Sequence, residues 1–217
     1  HRDLHSFPTR RSSDLNIGVT AFVLYYRMPL AHAEVPLKDT KAAMQIIRQN
    51  AKHWSLNKHR IGIIGFSAGG HLAATLGTHF ERENKPFFMA LIYPVTSFRP
   101  EFFPGGTCQN LLGENPAEKE INFYSNELHI TKRTPPTFLV HALNDDVVEP
   151  IHSNAFADSL RMKNVKHELV IYKNGSHGFG LRPQNVESDK WSEKFKEWLT
   201  TGRSEEPTSA LQSPNTI

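Results

Sequence analysis

The sequence predicts an α/β domain built on a mostly parallel, doubly wound sheet. Three observations carry that expectation. Short apolar runs alternate with helical patterns along residues 16–202. The runs at 17–26, 61–64, 87–93 and 137–141 are apolar throughout rather than at every second position, as strands covered on both faces must be. Residues 60–75, RIGIIGFSAGGHLAAT, read as a strand, a sharp turn and a helix in direct succession.

Taken in order, residues 17–26 (IGVTAFVLYY) are β-branched and aromatic enough for a buried strand, ended by Arg27, Met28 and Pro29. A helix is expected over 37–54, where Ala42, Ala43, Ile46, Ile47 and Ala51 recur at the three-to-four spacing of one helical face. The strand within 60–75 leads to a helix expected to reach Arg82, and residues 87–93 (FFMALIY) form the next strand, stopped by Pro94. Between 96 and 135 the alternation breaks. Prolines at 100, 104 and 116, glycines at 105, 106 and 113 and a polar run over 114–127 predict a lid-like excursion off the sheet. The sheet resumes at 137–141. A helix over 150–163, a strand over 167–172 and an amphipathic helix over 187–200, with Trp191, Phe195 and Trp198 inward, complete it.

Inside 60–75, Gly65-Phe66-Ser67-Ala68-Gly69 has the Gly-x-Ser-x-Gly spacing. A serine on so tight a turn takes a strained backbone and stands clear of the sheet. Its neighbours two residues away must be small because they approach each other, which Gly65 and Gly69 satisfy. The following helix aims unpaired N–H groups and the positive end of its dipole at the place where negative charge develops in acyl transfer.

A serine hydroxyl is a weak nucleophile at neutral pH, so it requires a base, and the base requires an orienting carboxylate. In a parallel sheet both must come from loops at the carboxyl ends of strands. The loop after 137–141 offers Asp145, with Asp146 as the alternative; Glu149 suits the start of the next helix instead. The loop after 167–172 offers His177, flanked by Gly175, Gly178 and Gly180. Of the 12 histidines, His5, His32, His53, His59, His129 and His167 read as surface residues and His71 as a packing residue. His141, at a strand end, is placed to support the aspartate loop. The order Ser67, Asp145, His177 follows the strand order that this chemistry uses in an open sheet.

Together with Tyr25-Tyr26-Arg27, the helix after Pro36, NLLGENP at 110–116, PPTFLVHALNDDVVEP and GSHGFGL, these motifs resemble the α/β-hydrolase esterases that include bacterial acetylxylan esterases and feruloyl-esterase-like proteins. The resemblance covers nearly all of 16–202. It implies an α/β-hydrolase fold and a triad of Ser67, His177 and Asp145. It also implies the Ala68 N–H as an oxyanion donor, no cofactor and no metal. The implied reaction is hydrolysis of small acyl esters, foremost acetyl groups on plant polysaccharide such as xylan. Such esterases also carry a His-Gly-Gly loop with further oxyanion donors, and nothing before Ile17 matches it. The expectation is therefore a sheet whose first strands are missing and a chain of low or no turnover, since one lost donor costs about 10²- to 10³-fold. The competing readings are a prolyl-oligopeptidase-like peptidase, which shares the turn and the residue order, and a non-catalytic binding module on the same fold.

Composition narrows the partners. The 217 residues suffice for one domain, and a formal charge of +3 without a basic run interleaved with aromatics predicts no nucleic-acid partner. No apolar stretch reaches the roughly 18 residues of a membrane span, and the single Cys108 excludes an internal disulfide. A small-molecule or polysaccharide ester is the expected partner, with oligomeric state and localisation open. Residues 1–15 (HRDLHSFPTRRSSDL) and 203–217 (RSEEPTSALQSPNTI) lack periodicity. They resemble in-frame translations of sequencing adapters, which implies a metagenomic fragment with foreign ends. Natural disordered tails are the alternative.

Overall fold

The computed structural model describes residues 19–181 and 183–204. The leader expected over 1–15, and the expected foreign tail from residue 205 onward, lie outside them. Four strands, β1 (Ile63–Phe66), β2 (Met89–Ile92), β3 (Thr137–Ala142) and β4 (His167–Tyr172), form one sheet in the order β1-β2-β3-β4, every pair parallel. The helices are α1 (Glu34–Asn50), α2 (Ala68–Thr78), α3 (Gly105–Leu112), α4 (Glu118–Tyr124), α5 (Ile151–Met162) and α6 (Trp191–Ser204).

The pleat sorts strand side chains onto two cores. Met89, Leu91 and Leu139 pack with Ala73 and Ala74 of α2 and Phe156, Ala157 and Leu160 of α5. Their neighbours Ala90, Ile92, Phe138 and Val140 face the other way, onto Trp191, Phe195 and Trp198 of α6. Both faces are covered, so alternation between apolar and polar has no reason to exist, and the continuous apolar runs follow. The three α6 residues expected to face inward do so.

Two expectations about boundaries are corrected. The helix expected over 37–54 is α1, starting earlier because Pro36 is accommodated in its first turn. Its buried line is Leu37, Thr40 and Met44, because Leu37 and Met44 are the side chains that reach Leu72 and Leu76; of the expected line Ala42, Ala43, Ile46 and Ile47 are half-buried and Ala51, just past the helix, is buried. The helix α2 stops at Thr78 rather than near Arg82, where Asn84 instead closes a turn by accepting the Glu81 N–H at 2.8 Å.

The strand expected over 17–26 is also corrected: its described part, from residue 19, carries no strand pairing. The period of two is present, with Phe22, Leu24 and Tyr26 half-buried and Val23 and Tyr25 exposed. A strand also needs a ladder partner, and no backbone hydrogen bond joins this segment to β1 among the described residues. Side chains hold it instead. Phe22 packs against Trp54 at a tilt, with ring centroids 5.3 Å apart. The Arg27 backbone N–H and guanidinium both bind the buried Asp39, at 2.9 and 2.6 Å.

The 96–135 excursion is tied down where it leaves and where it returns: Val95, Phe98, Tyr124 and Val148 form a small core, against which Cys108, Leu111 and Leu112 of α3 pack. Beneath them Ser97 Oγ and Arg99 Nε both donate to Glu127, at 2.8 and 3.0 Å, and the Phe98 N–H donates to Ser125 Oγ at 3.0 Å. The helix α3 has no buried residue and is bounded by left-handed backbone at Phe103 (φ 48), Gly105 (φ 54) and Gly113 (φ 87).

Candidate active site

At the carboxyl edge of the sheet three loops converge. Ser67 follows β1 with φ 51 and ψ −120, a conformation L-residues rarely adopt, and serves as the N-cap of α2. Its N–H extends the ladder to Ile92 O at 3.0 Å and its carbonyl accepts the first helical bond from His71 N at 3.1 Å. Strand and helix therefore fix the serine from both sides. Gly65 is required here: a Cβ would sit 2.1 Å from the Gly69 carbonyl oxygen. The expectation for Gly69 is corrected, since a Cβ there meets nothing within 4 Å. The crowding is against the Gly69 backbone, and the second tight position is Gly70, whose Cβ would lie 2.8 Å from Pro94 Cβ.

Asp145 follows β3 and is 4% exposed, whereas Asp146 and Glu149 are exposed. Asp145 Oδ1 accepts the N–H groups of Val147 (3.1 Å) and Val148 (2.9 Å), and Oδ2 accepts from His177 Nδ1 at 2.8 Å. His141 Nε2 lies 3.3 Å from the same Oδ2. Because that nitrogen also contacts the Val148 carbonyl at 2.8 Å, it carries the proton, leaving Nδ1 to accept from Ser153 Oγ at 2.7 Å. Burial pushes the Asp145 carboxyl up, but the hydrogen bonds from His141, His177 and the Val148 and Val147 N–H groups outweigh it and hold the group well below the usual carboxylate range.

His177 follows β4 after the left-handed Ser176. Its Nε2 is 2.8 Å from Ser67 Oγ, so the structure brings Ser67, His177 and Asp145 into one hydrogen-bonded line. Three supports for this loop escaped the sequence reading. Asn144 Oδ1 accepts the N–H groups of Gly175 and Ser176, at 2.9 and 3.0 Å. The Tyr93 ring stands edge-on to the imidazole, centroids 4.9 Å apart. Trp191 Nε1 donates to Gly180 O at 2.6 Å. Each sat in the sequence beside a strand end or at a helix start, but nothing in their spacing named the loop they would hold.

His71 is a packing residue, as read: it is buried, stacks on Phe98 with centroids 4.3 Å apart and donates from Nε2 to Tyr124 O at 2.9 Å. Beside Ala68 lies a cavity of about 120 Å³, walled by Tyr26, Leu37, His71, Leu72 and Leu111. Among the described residues no group of three or more His, Cys, Asp or Glu could hold a metal ion, and no helix is long and apolar enough to cross a membrane.

A parallel sheet covered by helices on both faces, with a serine on a strained strand-to-helix turn, is the α/β-hydrolase fold. Within it the chain belongs to the prolyl oligopeptidase family, whose family model matches residues 26–202. An acetylxylan esterase of Xylanibacter ruminicola is 34% identical over 84% of this chain and 39% of its own length. Endo-1,4-beta-xylanase B of Butyrivibrio fibrisolvens is 31% identical over 75% of this chain and 28% of its own. The chain thus spans well under half the length of these two relatives. Among solved structures, an acetyl ester-xyloside bifunctional hydrolase from Caldicellulosiruptor lactoaceticus superposes with a TM-score of 0.81 at 36% identity, covering 87% of this chain and 74% of that one.

Proposed function

We propose that the chain is a serine hydrolase of small acyl esters, foremost acetyl groups on xylan-type polysaccharide, with Ser67 as nucleophile, His177 as base and acid, and Asp145 as orienting carboxylate. The observation that carries this reading is the pair of 2.8 Å hydrogen bonds running from Ser67 through His177 to Asp145. With Nδ1–H given to Asp145, His177 Nε2 is left as the proton acceptor facing Ser67 Oγ. As Oγ attacks the ester carbonyl, its proton passes to Nε2 and the oxyanion takes the Ala68 N–H at the start of α2. The bond to the alcohol oxygen then breaks, and Nε2 returns the proton to that oxygen. Water attacks the acyl-enzyme with the same nitrogen as base, releasing the acid and restoring Ser67. The names of the acetylxylan esterase and xylanase relatives support the substrate class.

Hydrolysis of 4-nitrophenyl acetate and acetylated xylan, by the chain and by Ser67→Ala, tests the proposal. Acid release that vanishes in the variant is expected; undiminished release overturns it. The family name itself favours a second reading, a peptidase. Cleavage of aminoacyl 4-nitroanilides in preference to acetate esters would select it.

A further inference from the structure

The candidate active site gathers at the carboxyl ends of the strands, and the amino ends carry a feature of their own. Lys58, Phe87 and Pro136, in the segments that lead into β1, β2 and β3, line a groove of about 710 Å³. At about 3.3 Å per extended residue, the run from Ile61 to Ser67 puts roughly 20 Å between the groove and the serine. Four cations line it, Arg48, Lys58, Arg82 and Lys85, against one carboxylate, Glu83. None of the four has an ion-pair partner among the described residues, and the nearby Glu81 is taken by Lys41 at 2.6 Å. The walls are tied together from within: Arg48, in the last turn of α1, donates to the backbone carbonyls of Lys58, Glu83 and Lys85. Carbonyl acceptors satisfy its N–H groups and leave its charge uncancelled. Lys85 and Arg133 both lie over the Phe80 ring, 5.2 and 5.5 Å from its centroid. Burial, and then the Arg133 charge, hold the Lys85 ammonium below its ordinary value, so the cations crowd one another. Beside them Phe87 is 40% exposed, with the Arg60 guanidinium over its ring at 5.8 Å.

We propose that this groove is a second binding site, remote from Ser67, for a polysaccharide chain that carries carboxylate side groups. The choice of a sugar polymer rests on the substrate class proposed above; the charge of the groove does not. Each part of the wall has a counterpart on such a chain. The unpaired cations take the carboxylates, the exposed Phe87 ring takes the C–H face of a sugar ring, and Glu83 accepts sugar hydroxyls. A nucleic acid fits the same wall less well. Its closely spaced phosphates, one charge per about 1.7 Å of duplex, cannot pass Glu83 without repulsion, whereas the sparser carboxylates of a sugar chain can. A concave groove also offers no apolar projection to a lipid surface. Holding the polymer at the amino ends raises the effective concentration of its esters near Ser67. Small esters gain nothing from it.

The test is binding without turnover. The full chain carrying Ser67→Ala is titrated by calorimetry with deacetylated, glucuronate-substituted xylan, and with the same polymer after its carboxyl groups are reduced to alcohols. The acidic polymer should bind about tenfold tighter, and the advantage should shrink as salt is raised from about 0.05 to about 0.5 M. Lys58→Glu combined with Arg82→Glu, both at exposed positions, should cut the advantage to about twofold or less. Phe87→Ala should weaken both polymers by the same factor, because a stacking ring does not read charge. Urea midpoints of each variant separate lost binding from lost folding. Equal affinity for the two polymers, or an advantage that survives the double charge reversal, overturns the site. Single-stranded DNA of matched charge binding more tightly than the acidic polymer overturns the sugar as occupant. Hydrolysis is read separately in the chain with Ser67 intact. There the double charge reversal should leave 4-nitrophenyl acetate turnover unchanged and slow acetate release from acidic acetylated xylan. Absence of both activities in the unsubstituted chain overturns the esterase reading alone, since the binding result stands without it.

Discussion

The loops after β3 and β4 leave the same edge of the sheet and meet at one hydrogen bond, yet they are built on opposite plans. The β3 loop is closed: the Asp145 side chain is fully buried and faces four donors, all from within residues 141–148 except His177. The β4 loop is open. The His177 side chain keeps 17% of its surface exposed, and its position depends on residues distant in sequence, Tyr93, Asn144 and Trp191. The difference follows from what each group would do. A carboxylate that only orients works best dry and immobile, whereas an imidazole that gives up and receives protons has to reach substrate and water.

Breaking the closed side should have the largest effect. Asp145→Asn keeps the shape but leaves His177 without its acceptor, and kcat for ester hydrolysis should fall about 10⁴-fold. A fall of less than tenfold would show that His177 is oriented from elsewhere. The carboxyl's folded value is depressed, so its stabilising contribution is present above the ordinary carboxylate range and is lost as pH falls toward the folded value. The stability gap between wild type and Asp145→Asn in urea melts should therefore be wider at neutral pH than in strong acid.

Acid should also act on the dry interior as a whole. Burial pushes the imidazoles of His71, His79 and His152 down to about 4 from the ordinary 6.5. Unfolded, they bind protons near 6.5; folded, only near 4. Stability is therefore intact above that range and declines as pH falls through it, with a slope approaching about three protons. Urea midpoints measured from pH 7 to 4 would expose a shallower slope.

The contact of His141 with Asp145 sharpens the contrast. His141→Leu removes the Nε2 donor and should lower kcat about 10- to 100-fold, while His141→Gln, which retains an N–H near that place, should recover much of the loss. Equal loss in both variants would point to packing rather than hydrogen bonding. The smallest effect is expected on the open side. Trp191→Phe removes the bond to Gly180 O, worth about 1 kcal/mol, so turnover should drop about fivefold.

Much of this contrast was readable in the residues. Ser67 with its flanking strand and helix announced itself, because a strained turn leaves few compositions possible. Spacing left Asp145 and Asp146 unresolved, and burial separates them: one side chain points under the loop to His177, the next into solvent. The glycines were half legible. Gly65 is dictated by a backbone contact, but the crowding at Gly70 comes from Pro94, distant in sequence. Residues 19–26 show the reverse failure. Their side chains carry a strand's period, yet pairing depends on a neighbour that no local pattern reports. Tyr93 and Asn144 were invisible for the same reason: each acts through a tertiary contact.

The closed loop has a consequence for the order in which the protein becomes reactive during synthesis. Apart from His177, the partners of Asp145 lie within residues 141–148, and Ser153, which pins His141, follows shortly after. The nest for the carboxylate can thus close soon after that stretch leaves the ribosome. The loop of the imidazole gains its bond at Gly180 O only once Trp191 and the helix it begins have emerged. The seat of the carboxylate is thus local in sequence, whereas that of the imidazole is completed by residues spread from Tyr93 to Trp191.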